Sequence, residues 1–325
     1  MGDIFALAAD NLISPIVLSF ALGLAAALAR SDLQIPDTIA KAMSIYLLFA
    51  IGFKGGVSVA DHGVDMTLGM TLLAGIVLSA ALPILAFALL KILTPMDNLN
   101  AAAVAGHYGS ISIVTFVAAS SVLESSGIAA EGYMVAVAAA MEAPAILSAL
   151  WLVSRGEKEG RMDAGLWREI MLNGSIVLLV GAFFIGMVTG QEGLDEIDSF
   201  IVAPFKGVLC LFLLDMGLVA GRGMSKGRGA LGLGAVAFGV LMPLISSVIG
   251  LALAMMIGLS LGGAVLLMVL SASASYIAVP AAMRVALPEA NPSIYLTLSL
   301  GVTFPFNLVL GIPLYLALAT MFIGG

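Results

Sequence analysis

Ten apolar segments follow one another along almost the entire chain, and most are long enough to cross a lipid bilayer. They fall at residues 12–29, 36–53, 67–93, 101–122, 132–153, 171–189, 199–220, 230–258, 262–286 and 293–322. A transmembrane helix needs about 17–25 such residues, and it satisfies its own backbone hydrogen bonds in the absence of water. The pattern therefore predicts an all-α integral membrane protein with ten transmembrane helices.

The composition supports this class and argues against others. The chain is 61% hydrophobic and 10% charged, whereas soluble domains are about 45–50% apolar and about 25% charged. A net charge of −7 argues against a nucleic-acid partner. The single cysteine, Cys210, has no partner for a disulfide, and no His or Cys cluster has the spacing of a metal site. Without a nucleophile elbow or phosphate loop, we expect neither an enzyme nor a bound cofactor.

The charged residues predict how the chain is oriented in the membrane. Alternating spans place eleven of the thirteen basic residues on one side: Arg30, Lys41, Lys91, Arg155, Lys158, Arg161, Arg168, Arg222, Lys226, Arg228 and Arg284. Cytoplasmic loops carry the excess of Lys and Arg, so this side is predicted to be the cytoplasm of a bacterial inner membrane, with both termini outside. Lys54 and Lys206 are the two exceptions, and both lie near the outer ends of spans.

The chain also divides into two similar halves. A polar stretch at 155–169, predicted to be a cytoplasmic linker, separates residues 1–154 from residues 170–325. The segment Gly109-Ser-Ile-Ser112 of the fourth span has a counterpart, Ala272-Ser-Ala-Ser275, in the ninth. Because each half has five spans, the second half must enter the membrane from the opposite side. We therefore expect a five-plus-five inverted repeat, an arrangement that transporters use to build a site from broken helices.

The two Ser-X-Ser segments are the candidate substrate site. Residues two apart point to different faces of a helix, so these serines converge on one ligand only where the backbone is extended or broken. A break exposes N–H groups that favour an anion. The candidate substrate-binding residues are Gly109, Ser110, Ile111, Ser112, Ser273, Ala274 and Ser275. The alternative is close helix packing by small residues, which also explains the GxxxG pairs Gly52/Gly56 and Gly217/Gly221.

Polar residues in other spans are candidate ligands for a coupling Na⁺. Glu142 and Asp215 are the acidic residues well inside predicted spans, where a charge costs at least about 2.5–3.5 kcal/mol. Ser271, Thr303 and Asn307 could supply further oxygens, since Thr303 and Asn307 are four apart and share a helix face. Two alternatives stay open: neutral, hydrogen-bonded carboxyls, and hydrogen bonds between helices.

These motifs resemble the sodium-dependent bicarbonate transporters of the cyanobacterial type. The resemblance rests on Ala105-Gly-His-Tyr-Gly-Ser-Ile-Ser112, Glu142-Ala-Pro-Ala145 and Gly301-Val-Thr-Phe-Pro-Phe-Asn307, and the five-plus-five layout extends it over essentially the whole chain. The chain departs from the family pattern in having Glu142 in place of Asp and His107-Tyr108 before Gly109. The resemblance implies core and gate domains that move in an elevator-like cycle, a homotrimer and, in some members, a small PII-like cytoplasmic regulator.

The function predicted from the residues and the resemblance is Na⁺-coupled uptake of bicarbonate by alternating access. An inside-negative membrane opposes anion entry by about 2.3 kcal/mol per 100 mV, so an importer needs a coupling cation. Other readings of the same residues are a Na⁺/H⁺ exchanger built on Glu142 and Asp215, or a Na⁺-coupled symporter of another small organic anion. An anion channel lined by the serines is a further alternative.

Overall fold

The chain is helical throughout the part that the structure, a computed structural model, describes. The described residues are 13–63, 65–154, 174–226, 232–276 and 287–323, together with residues 172, 279, 280 and 283. No β-strand occurs among these residues. The predicted linker at 155–169 and most of the end of the ninth predicted span lie outside them.

Twelve helices are used in this description of the described residues. They are α1 (Pro15–Leu28), α2 (Asp37–His62), α3 (Met66–Leu93), α4 (Asn98–Gly109), α5 (Ile113–Ser125), α6 (Met134–Ala140), α7 (Glu142–Ser154), α8 (Gly174–Ile201), α9 (Phe205–Lys226), α10 (Leu233–Ile257), α11 (Leu261–Ala272) and α12 (Pro292–Ile323). Seven helical stretches are long and apolar enough to cross a membrane, and α1 and α11 are shorter apolar helices. Large apolar side chains such as Leu22, Leu73 and Val188 are exposed, as expected of surfaces that face lipid.

Polar side chains mark the starts of several helices. Asp65 caps α3, and Asp97 caps α4 by accepting hydrogen bonds from the backbone and side chain of Asn100. These bonds hold the pKa of the Asp97 carboxyl below its usual range. Ser260 caps α11 and donates from its N–H and hydroxyl to the Glu131 carboxylate, at 2.8 Å each. The caps satisfy N–H groups that a helix cannot pair internally, so each of these helices begins directly after an Asp or a Ser.

Two prolines explain where the helices lose their regularity. Pro144, near the start of α7, has no N–H for the carbonyl of Ala140, and the helix is interrupted at Met141 between α6 and α7. Pro305 lies within α12 between two π-helical turns, Ser299–Thr303 and Asn307–Gly311. A widened turn lets a helix continue past a residue that cannot donate, and such turns are frequent at functional sites.

The helices of the two halves pack against one another in pairs. α1 packs along α9, α2 packs along α8, and α3 packs against α10. Glycines bring the backbones together: Gly23 and Gly217 join α1 to α9, and Gly52 and Gly56 join α2 to α8. A Cβ at any of these four positions would collide with a backbone carbonyl of the partner helix. The packing role predicted for the GxxxG pairs is therefore confirmed.

Residues 190–198 lie between the sixth and seventh predicted spans, which predicts a loop, but the structure has a helix there. α8 continues to Ile201 across a kink at Gly190, whose φ of 60° is open to glycine. Beyond the kink, Leu194 and Ile197 are partly buried at helical spacing, whereas the acidic side chains between 192 and 198 are exposed. The loop prediction was wrong, because the charged residues of the stretch form the exposed face of an amphipathic helix.

Candidate functional site

Both Ser-X-Ser segments interrupt a helix inside the protein. Between α4 and α5, Ser110 (φ −85°, ψ 170°) and Ser112 (φ −103°, ψ 106°) have extended backbones. After α11, Ser273 is extended as well, with φ −86° and ψ 163°. We call residues 110–112 the first break and residues 273–275 the second break. The backbone is therefore extended at both segments, as the sequence predicted.

Local packing and capping explain why the first break lies where it does. Gly109 contacts the ring of Pro83 and the carbonyl of Ser79 on α3, and no side chain would fit there. Ser112 then caps α5, because its Oγ accepts from the N–H of Thr115 at 3.2 Å and from the Thr115 hydroxyl at 2.9 Å. α4 can thus approach α3 closely, and α5 begins at Ile113, three residues beyond Ser110.

The two breaks lie against each other. The N–H of Ser112 donates to Oγ of Ser273 at 2.9 Å. The N–H of Ser275 donates to the carbonyl of His107 at 2.8 Å, and Nδ1 of His107 bonds the carbonyl of Ser275. A carbonyl can only accept, so Nδ1 of His107 carries the hydrogen. Both serine-rich segments are buried, and three hydrogen bonds join them across more than 160 residues of sequence.

Several backbone N–H groups at the breaks have no hydrogen-bond partner among the described residues. They belong to Ile111, Ile113, Val114, Ser273 and Ala274. Buried N–H groups are nearly always paired in native proteins, and in a membrane no bulk water is present to pair them. Two of these groups lie in the first turn of α5, where the helix dipole adds positive potential. The breaks can therefore hold an anion that accepts several hydrogen bonds.

Glu142 is the acidic residue that reaches the breaks. The hydroxyl of Ser110 donates to Oε2 of Glu142 at 2.9 Å, and both side chains are buried. No basic side chain within the described ranges forms an ion pair with this carboxyl. A buried carboxylate inside a membrane is unfavourable unless a cation or a proton neutralises it. The hydroxyl of Ser110 thus links the first break to the Glu142 carboxyl.

Thr303 and Asn307 make hydrogen bonds to different neighbours. The amide nitrogen of Asn307 donates to the last carbonyl of α11 at 2.8 Å, and its Oδ1 accepts from the Tyr315 hydroxyl at 2.7 Å. The Thr303 hydroxyl donates to a carbonyl of α10 at 2.7 Å and accepts from the Tyr108 hydroxyl at 2.6 Å. The two residues share no hydrogen-bond partner, and their bonds join α12 to α4, α10 and α11.

The two remaining candidate cation ligands differ in position. The hydroxyl of Ser271 donates to the carbonyl of Leu267 in its own helix at 2.8 Å, directly before the second break. Asp215 is buried on α9, where its charged neighbours are Asp37 and Arg222. In the part of the chain that the structure describes, Asp215 makes no hydrogen bond to either break. The structure brings Glu142 to the breaks and leaves Asp215 on another helix pair.

Two polar atoms beside the breaks were not part of the predicted site. Nε2 of His107 is buried and has no hydrogen-bond partner among the described residues. The hydroxyl of Tyr276 is buried too, and it faces the Ser112 side chain of the first break. The His107 ring also stacks on Tyr295, with ring centroids 4.5 Å apart. Tyr276 directly follows Ser275, so its position beside the second Ser-X-Ser segment was the signal that could have indicated it. Both atoms are further groups that a ligand at the breaks could contact.

The fold defines a class of protein: a multi-pass membrane protein in which buried polar segments interrupt apolar helices. The Na⁺-dependent bicarbonate transporter superfamily matches residues 15–320, nearly the whole chain. The chain therefore belongs to this superfamily, and the resemblance carried by the sequence motifs is confirmed. No curated protein matches the chain.

Proposed function

We propose that the chain imports bicarbonate together with Na⁺. The observation that carries this proposal is the meeting of the two breaks in the interior, where five backbone N–H groups lack partners among the described residues. Bicarbonate is a flat monovalent anion with three oxygens, and each oxygen can accept from an N–H or a hydroxyl. Backbone N–H groups and hydroxyls can therefore bind bicarbonate without an arginine side chain. Membership of the superfamily supports the same substrate.

The position of Glu142 supports coupling to a cation. Bicarbonate at the first break would lie close to the Glu142 carboxyl, because Ser110 belongs to the break and donates to that carboxyl. Two negative charges in a medium of low dielectric constant repel each other strongly. A Na⁺ between them would remove this repulsion, so bicarbonate would bind tightly only when Na⁺ is present. Ser271, Thr303 and Asn307 would act by fixing the carbonyls around this cation, and Asp215 stays a separate candidate ligand on α9.

The energetics of import also favour a symporter. One Na⁺ per bicarbonate cancels the membrane-potential term of about 2.3 kcal/mol per 100 mV that opposes the anion. A tenfold Na⁺ gradient then supplies about 1.4 kcal/mol, which allows about tenfold accumulation of bicarbonate. A channel would only let the anion equilibrate, and an inside-negative potential would drive it outward.

We further propose a ten-span inverted repeat that works by an elevator-like motion of a core domain against a gate domain. The helix pairs support the repeat: exchanging the two halves converts the α1–α9 pair into the α8–α2 pair and maps the α3–α10 pair onto itself. In this proposal α1, α2, α8 and α9 form the gate, and the helices that carry the breaks belong to the core. The inner membrane and the outward termini follow in this proposal from the positive-inside rule, and the homotrimer and the PII-like regulator from the family resemblance.

Uptake of radiolabelled bicarbonate into proteoliposomes tests the proposed function. With an inward Na⁺ gradient we expect accumulation above equilibrium, and without Na⁺ we expect none. Flux that stops at equilibrium would indicate a channel, and Na⁺ flux that moves protons without bicarbonate would indicate an exchanger.

The placement of the site is tested by a double variant. Replacing Ser110 and Ser273 with Ala should abolish uptake, because the change removes two hydroxyls from the breaks. Ser246→Ala is the matched control, since that buried hydroxyl donates to the carbonyl of Met242 in its own helix. Normal uptake in a folded double variant would refute the placement.

A further inference from the structure

The two lysines that departed from the charge asymmetry come together in the structure. Lys54 on α2 and Lys206 on α9 both contact the carboxylate of Glu124 near the end of α5, at 3.9 Å and 3.7 Å. The three side chains are 37%, 54% and 55% exposed, in the order Lys54, Lys206 and Glu124. Long, exposed ion pairs of this kind are weak, so the lysines are available to another anion.

The charge balance at this point is unusual for the outer side. Two lysines share one carboxylate, so one positive charge is left over. In the predicted orientation the other charged residues on the outer side are acidic, including Asp65 and Glu192. Glu131 also lines the cavity next to this cluster, and its carboxylate accepts from the N–H and hydroxyl of Ser260. The two lysines are therefore the positive groups of a negative outer surface, and a positive charge raises the concentration of anions around it.

A cavity lined by Lys54 and Glu124 leads toward the first break. It has a volume of about 300 Å³, and it follows α5 from Glu124 to Phe116. Lys54 and Phe205 line its outer part, and Lys54 Nζ lies 5.7 Å from the centroid of the Phe205 ring. Phe116 is four residues from Ser112, which is about 6 Å along a helix. The cavity thus spans most of the distance between the lysines and the first break.

We propose that Lys54 and Lys206 form an outer recruitment site for a small oxyanion and that the Glu124 carboxylate occupies this site in the structure. The oxyanion is bicarbonate, so this inference rests on the proposed function. Glu124 is an intramolecular competitor: a carboxylate presents the same paired oxygens to the lysines as bicarbonate does. The lysines lie on α2 and α9 of the proposed gate, whereas the competitor lies on α5 of the proposed core. Movement of α5 would release both lysines to the incoming anion.

The expected size of the effect follows from Coulomb's law. A unit charge about 7 Å from an anion in water changes the anion's local concentration about threefold. Lys54→Gln and Lys206→Gln should each raise the KM for bicarbonate about threefold at low ionic strength, and together about tenfold. The kcat should not change, because the lysines do not contact the breaks. Screening at high ionic strength should remove most of the difference.

The decisive variant is Glu124→Gln. Removing the competitor should lower the KM for bicarbonate about threefold, opposite in sign to the lysine variants. Ion pairs that only stabilise the fold would instead give changes of the same sign. Glu192→Gln is the matched control, because it removes one exposed acidic charge that forms no ion pair with either lysine among the described residues. We expect no change in KM for that control.

The measurement is the initial rate of radiolabelled bicarbonate uptake into proteoliposomes at several salt concentrations. An increased KM in Glu124→Gln, an unchanged KM in the double lysine variant, or shifts that persist at high salt would each overturn the recruitment site. If a Gln variant does not fold, Lys54→Arg and Lys206→Arg keep the charge and must retain the wild-type KM. A wild-type protein without Na⁺-dependent uptake refutes the proposed function as well, whereas an active wild type with unshifted variants refutes the recruitment site alone.

Discussion

Replacing His107 with Ala would remove the side-chain donor that joins the two breaks. The carbonyl of Ser275 accepts from Nδ1 of His107, and both groups are buried. Without the imidazole this carbonyl would be left unpaired, which costs about 1–3 kcal/mol. Loss of the stacking contact with Tyr295 adds about 0.5–1.5 kcal/mol. The second break would lose one of the bonds that hold it against the first.

Two other substitutions separate the hydrogen bond from the ring. The amide nitrogen of Asn can take the place of Nδ1, so His107→Asn should keep the bond to Ser275 and lose only the stacking. The amide of Gln reaches the position of Nε2 and should not restore the bond. We therefore expect the Ala and Gln variants to hold the second break against the first about 1–3 kcal/mol less favourably than the Asn variant does. This difference corresponds to about 5–150-fold in an equilibrium constant.

The assay is the KM for bicarbonate in proteoliposomes, together with the midpoint of thermal unfolding in detergent. We expect the KM of His107→Asn to lie between that of the wild type and that of His107→Ala. Equal KM values for Ala and Asn would refute it, because the hydrogen bond would then have no effect on the site. A Gln variant that matches Asn would show that Nε2, and not Nδ1, makes the important contact.

Three further predictions follow from single contacts. Glu142→Gln should give uptake that Na⁺ no longer stimulates, whereas Glu142→Asp should retain stimulation with weaker Na⁺ affinity; a Gln variant with normal Na⁺ dependence would exclude the carboxylate from coupling. Gly109→Ala should lower the yield of folded protein, because its Cβ meets Pro83, whereas Gly69→Ala meets nothing within 4 Å and serves as the control. Tyr315→Phe removes the hydroxyl that donates to Asn307 and should lower the free energy of unfolding by about 1 kcal/mol, measured as a reduced unfolding midpoint.

The sequence predicts the membrane class and the breaks well, because both depend on local chemistry. Apolar segments of spanning length and the clustering of Gly and Ser around position 110 are visible without any knowledge of packing. The continuation of α8 beyond Gly190 was missed, although Leu194, Ile197 and Ile201 have the spacing of a buried helix face. The acidic side chains in this stretch lower its mean hydropathy, so its amphipathic helical period is not visible as an apolar segment.

The contacts that make the site depend on packing between distant segments. Glu142 lies 32 residues from Ser110, and Ser275 lies 168 residues from His107. The sequence offers Glu142 and Asp215 as similar acidic residues within apolar spans, and only the packing of α7 against α4 distinguishes them. Likewise, Thr303 and Asn307 look equivalent on a regular helix, but the π-helical turns around Pro305 give them different neighbours. Widened turns and tertiary pairing leave no simple trace in residue spacing.

The glycine contacts of α1 with α9 and of α2 with α8 also determine how the protein meets membranes of different thickness. Where two helices touch backbone to backbone, no flexible side chains lie between them to absorb a shift. Sliding one helix past its partner would drive the carbonyl of Leu214 or Phe183 into the backbone of the neighbouring helix. A thicker or thinner bilayer is therefore accommodated by tilting each pair as one unit. Replacing one of these glycines with Ala would force the two helices of its pair apart, because the added Cβ meets the partner backbone. The pair would then no longer tilt as one unit, whatever the thickness of the bilayer.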